Sequence, residues 1–158
     1  ARAGVRTSRC VRQVLALVEA APIAGDADLA AIARAVRARL RGVIDAVVAS
    51  HVADAGLHAV ITERRNADPA LDALISAGEG RLVERITALL RRWGHGGDPS
   101  ATAFILLATL EGAVHAHVLG HPVVDDRRFV DALAEALLRI ALPSALVPKE
   151  ISSWPSSS

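Results

Sequence analysis

Cysteine occurs once in these 158 residues, at position 10, and tyrosine and methionine do not occur at all. A lone Cys10 cannot close an intramolecular disulfide, which excludes a disulfide-stapled fold and fits a reducing compartment. Only two Phe and two Trp are present, so a core has to be assembled from Ala, Leu, Val and Ile. At this alanine content such a core favours helix over sheet. Charge of one sign is not in excess either: 18 Lys and Arg face 17 Asp and Glu, for a net +1, so bulk electrostatics give no argument for a polyanionic partner. All basic residues but Lys149 are arginine, which reads as coding bias. The longest apolar run, Phe104 to Leu110, is cut by Glu111 and falls far short of the ~20 residues of a membrane span. No segment has the layout of a signal peptide. The expectation is a soluble, cytoplasmic protein with no membrane contact.

What is present is helix punctuation. Asp68-Pro69 and Asp98-Pro99 each set an N-cap acceptor before a proline that suits the first helical turn. The first predicts a helix to about Trp93, stopped at Gly94-His95-Gly96-Gly97; the second predicts one to about Leu119, stopped at Gly120 before Pro122. A further helix starts near Asp125 and Asp126 and ends before Pro143, with Phe129, Leu133, Leu137 and Ile140 on its apolar face. Upstream, Val11 to Ala21 reads as a helix. Asp26 or Asp28 caps a long one to about Ser50, in which Ile32, Val36, Leu40, Val43 and Val47 recur at helical spacing, and a short one spans about Asp54 to Arg65. No strand-like alternation appears. The fold class is therefore all-α, a bundle of about six helices over 9–143, followed by a Pro- and Ser-containing tail, 144–158, that composition marks as poorly ordered.

Three pieces together carry a resemblance: SHVADAGLHAVITER (Ser50 to Arg64), RLVERITALLRRWG (Arg81 to Gly94) with the Gly-rich loop and Asp98-Pro99 after it, and LLATLEGAVHAHVLGHP with FVDALAEALLRIAL (Phe129 to Leu142). In order and spacing, residues from about Val47 to Leu142 resemble the C-terminal domain of TetR-family transcriptional regulators. The penultimate helix of that family commonly carries a similar leucine-glutamate-glycine segment followed by a histidine. At the other end, Ala1-Arg2-Ala3-Gly4-Val5 resembles the turn before the family's recognition helix, so 1–8 reads as a remnant of a helix-turn-helix domain. The family then expects a small residue, glycine, tyrosine, an aromatic pair and lysine, whereas this chain reads RTSRCVRQVLAL. The DNA-reading unit is not intact in these residues. The resemblance implies a homodimeric effector-binding and dimerisation domain of a regulator, a repressor released from operator DNA by a small hydrophobic effector. Operator DNA would be reached only through an N-terminal unit not intact here. The alternative is a free-standing helical binding or scaffold protein without DNA function.

The stretch LEGAVHAHVLGHP holds His115, His117 and His121. His115 and His117 point some 200° apart on a helix and cannot share a metal, and Gly120 and Pro122 break the helix between His117 and His121. Glu111 and His115 share a face and would ligate a metal only if another helix supplied more ligands; an ordinary paired couple is the preferred reading, and no metal or cofactor is expected. Catalysis has no footing either. Cys10 has no base placed beside it, and neither a nucleophile elbow nor a phosphate loop occurs. Arg34, Arg37 and Arg41 line one face whose segment contains a single acid, Asp45, and read as a solvated face; Arg2, Arg6, Arg9 and Arg12 form a second basic cluster. By analogy with the family's effector pocket, Leu57, His58, Ile61, Leu74, Ile75, Gly78, Phe104, Leu107 and Glu111 are its expected lining, with Gly78 and Gly80 marking a kink or a close approach. Ala108, Gly112 and Ala116 form a stripe of small residues on one helix face and, with Val130, Ala134 and Leu138 of the next helix, are the expected four-helix dimer interface.

Overall fold

The computed structural model describes residues 29–142. Among them are five helices and no strand: α1 (Leu29–Ala53), α2 (Ala55–Arg65), α3 (Pro69–Arg92), α4 (Pro99–Val118) and α5 (Asp126–Ala141). The helix expected over 11–21, the remnant 1–8, the tail 144–158, Cys10 and the N-terminal arginines lie outside the described residues.

Three helix starts follow the punctuation in the sequence. An Asp68 carboxylate oxygen accepts from the N–H groups of Ala70 and Leu71 at 3.0 and 3.1 Å, and Asp98 accepts from Ser100 and Ala101 at 2.8 and 3.1 Å. Asp125 accepts from Arg128 N–H at 2.9 Å. Asp54 makes no such cap; α2 begins almost without a break from α1 and leaves it at 87°. Gly78 and Gly80 do not interrupt α3, and a Cβ at either would meet nothing within 4 Å. The expected close approach is absent, and the ~1 kcal/mol cost of each glycine is absorbed by a helix of 24 residues.

The end of α3 is more demanding. Gly94 sits at φ +69°, its N–H bonds to Arg91 O at 3.1 Å, and His95 N–H bonds to Leu90 O at 3.0 Å. This pair of bonds is a Schellman closure, which needs a left-handed residue at Gly94. His95 then holds the loop in place. Its Nδ1 lies 3.3 Å from the carbonyl oxygen of Ala141, which can only accept, so Nδ1 carries the proton. Nε2 is thus the acceptor for the Thr102 hydroxyl at 3.0 Å.

The main core joins α1, α4 and α5 through Ile44, Val48, Val114, Val130, Leu133, Ala134 and Leu137. Val36, Leu138 and Leu142 extend it along α1 and α5, and Leu90, Ala103 and Ala141 anchor α3 to α4 and α5. Outside this core, Arg37 pairs with Glu135 at 2.9 Å and Arg41 with Asp131. The arginine face of α1 is therefore partly neutralised by acids from α5, which are remote in sequence. By length and composition α4 is the one single helix among the described residues apolar enough to cross a membrane, yet Ala103, Leu107, Val114 and His117 are buried by its neighbours.

Replacing Gly94 by Ala places a Cβ in the left-handed region and is expected to destabilise the fold by about 1 kcal/mol or more. Thermal unfolding should show a Tm several degrees lower, whereas Gly80→Ala should leave Tm unchanged or raise it.

Candidate functional site

Two faces of α4 concern function, one turned to α2 and α3 and one turned outward. On a straight helix His51 and His58 would lie about 10 Å apart. The 87° turn between α1 and α2 instead stacks their rings, with centroids 3.8 Å apart and planes 19° from parallel. His115, from the C-terminal half of α4, comes within 4.9 Å of the His51 ring and 6.3 Å of the His58 ring. His51 Nδ1 donates to the Val47 carbonyl at 2.9 Å, since a carbonyl can only accept, and its Nε2 lone pair is left available. Burial, and after it the neighbouring His51 and His115, lower the pKa of His58 from its ordinary value; burial and then His51 lower that of His115. All three rings sit where α1, α2 and α4 meet.

Beside them is a cluster of charge. Arg65, the last residue of α2, reaches α3 with Nε 2.8 Å from Asp72 and its two terminal nitrogens 2.5 and 2.8 Å from the two Glu79 carboxylate oxygens. Ser76 adds a contact at 3.2 Å. These bonds, Glu79 foremost, push the guanidinium pKa still higher. Glu111 of α4 faces the same cluster. Its pKa is raised, chiefly by burial and then by Glu79, against a smaller opposing pull from Arg65. No residue of α2 is buried, so α2 is held by these polar contacts rather than by core.

The expected pocket residues are only partly brought together. His58, Ile61, Ile75, Gly78 and Glu111 are half-buried and Leu107 is buried, but Leu57, Leu74 and Phe104 are exposed, Leu74 and Phe104 at 68% and 63%. Those three are open to solvent rather than enclosed. A groove of about 440 Å³ lies elsewhere, along α1, lined by Arg34, Arg37, Ala38, Arg41, Gly42 and Asp45.

The outward face of α4 carries Phe104, Ile105, Ala108, Gly112, Ala116 and Leu119, all exposed and none charged. Of the expected interface, Ala108, Gly112 and Ala116 lie on this face, and a Cβ at Gly112 would meet nothing within 4 Å. Val130, Ala134 and Leu138 do not lie on the surface. They are 3%, 1% and 3% exposed, packed within the subunit's own core, and the exposed alanines of α5 are Ala132 and Ala136. The buried stripe of α5 is rotated from the Phe129/Leu133/Leu137/Ile140 line because α1 packs on its Leu138 side. Meanwhile Phe129 stacks on His117, centroids 4.0 Å apart. His117 in turn donates from Nε2 to Asp126 at 2.8 Å, while His121 is exposed.

Residues 35–139, about two-thirds of the chain, match the family model described as the tetracyclin repressor-like C-terminal domain. The chain belongs to that family. No curated protein and no solved structure gives a significant match. Membership in the TetR-like C-terminal family makes this an all-helical regulatory domain, of a family that is not enzymatic. The starts of α3, α4 and α5 at Asp68, Asp98 and Asp125 and the small-residue face of α4 were legible in the sequence. The meeting of His51 and His58 with His115 was not, its only signal being the Asp54 break between the first two.

Glu111 supplies a pH test. Its pKa is raised in the folded state, so the folded protein holds the proton more tightly than the unfolded chain. The group's contribution to stability is full below the ordinary glutamate range, about 4.3, and is lost as pH rises through the raised value. Glu111→Gln is therefore expected to raise Tm at neutral pH, with the difference from the parent vanishing in acid; parallel Tm-against-pH curves would contradict it.

Proposed function

We propose that this is the ligand-binding and dimerisation domain of a cytoplasmic TetR-like transcriptional regulator, a repressor that acts as a homodimer and is released from operator DNA by a small effector. The observation that carries the reading is the uncharged outward face of α4. It offers a two-fold mate a row with small residues at Ala108, Gly112 and Ala116, flanked by Phe104, Ile105 and Leu119. Small residues let helix backbones approach closely, and Ala132 and Ala136 of α5 complete an isologous four-helix contact. The effector would enter between α2, α3 and α4. Ile61, Ile75 and Leu107 would take its apolar body and Glu111 a polar group, an amphipathic molecule fitting better than a purely apolar one. Operator contact would come from an N-terminal helix-turn-helix unit, and effector binding would shift the populations of two dimer geometries.

Sedimentation equilibrium tests the dimer. The parent should be a dimer burying on the order of 1,200 Å² or more. Gly112→Leu should be a folded monomer, because within the subunit nothing lies near the added Cβ. A monomeric parent, or a Gly112→Leu variant that remains dimeric, overturns the assignment. The effector reading is checked by a thermal-shift screen: amphipathic small molecules should raise Tm, and the rise should shrink in Leu107→Ala. Stabilisation by highly charged metabolites alone would contradict it.

A further inference from the structure

We propose that His51, His58 and His115 form a binding site for a first-row divalent transition-metal ion, bridging α1, α2 and α4. One ring nitrogen from each residue can be chosen so that all three lie within 4.8 Å of one another. Tetrahedral zinc, with bonds of about 2.0–2.1 Å, brings its ligand nitrogens to roughly 3.3 Å apart, so small rotations of three side chains are enough. The stacked rings of His51 and His58 pivot out of their stack so that their lone pairs converge on the ion. His51 is the buried ligand, and its Nδ1–H is already fixed on the Val47 carbonyl. This is the outer hydrogen bond that metal-bound imidazoles normally make and that aims Nε2 at the ion. His58 and His115 are half-exposed and give the ion a path from solvent. Neither ring receives a hydrogen bond from another described side chain. Stacking between neutral imidazoles is a weak attraction, whereas a shared cation would bind all three rings at once. The donor set is all nitrogen, which selects zinc, copper, nickel or cobalt over magnesium and calcium. Three protein ligands leave a coordination position open for water or for a donor atom of a small molecule.

The site lies where α2 has no fully buried residue to hold it, so the ion would fasten α2 to the bundle. This assignment does not depend on the dimer or effector reading. The test uses the purified full chain, freed of metal with a chelator. Zn²⁺ is titrated by calorimetry, and Co²⁺ by the visible absorption of its low-symmetry, nitrogen-bound form. One ion per chain is expected, with a rise in Tm. His58→Ala and His115→Ala should each weaken binding about tenfold or more, and His121→Ala should leave it unchanged. Imidazole nitrogen resonances of the parent provide a readout that needs no variant: His51, His58 and His115 should shift on adding Zn²⁺, while His95, His117 and His121 stay in place. Absence of stoichiometric binding, unchanged affinity in folded His58→Ala and His115→Ala, or shifts confined to the other three histidines would overturn the proposal.

Discussion

Helix α4 is apolar on nearly every side, and the other helices are arranged so as to cover most of it. Ala103, Leu107 and Val114 go under α1, α3 and α5. Its only strongly polar groups are Glu111, His115 and His117, and each is directed at a particular neighbour rather than at bulk water. His117 is taken up by Asp126 and Phe129 of α5, His115 by the histidines of α1 and α2, and Glu111 by the Arg65–Glu79 cluster. What is left over is an apolar row without a cover, a surface that a subunit of this size does not ordinarily leave to water.

The bundle is consequently held together by two kinds of force. Between α1, α4 and α5 the contact is aliphatic, contiguous and closed. Between α2 and its neighbours α1 and α3 it is a set of charge-assisted hydrogen bonds and ring contacts. Removing one methylene from the first leaves a void, whereas removing one partner from the second breaks a contact at the edge of the bundle without opening the core.

Much of the fold was legible because its boundaries are local chemistry. Asp-Pro at 68–69 and 98–99 and Gly94 each act within a few residues, so the sequence alone locates them. Features that depend on how helices face each other were not legible. A break between Ser50 and Asp54 was legible, but spacing does not give the angle at which two helices meet, and it is the 87° turn that lays the His58 ring on that of His51. Arg37 and Arg41 read as solvated because Glu135 and Asp131 are about ninety residues away. On α5, Val130, Ala134 and Leu138 were expected outside because apolar residues wrap most of that helix, and periodicity does not reveal which arc α1 will cover. The small face of α4 was legible for the opposite reason: Ala108, Gly112 and Ala116 leave no large side chain on that line to bury.

His95 gives the molecule a fixed end. Its ring ties the α3–α4 loop to the start of α4 through Thr102 and to the last turn of α5 through Ala141, and the left-handed Gly94 delivers it there. From Thr102 to His115 α4 extends roughly 20 Å, so the histidine junction sits at the far end of a rod clamped at its root. Val114, next to His115, is fully buried in the core shared with α1 and α5, so the far end of that rod is held as well. The outward row from Ile105 to Leu119 is therefore a straight, rigid edge, and a two-fold mate would seat against it as one body.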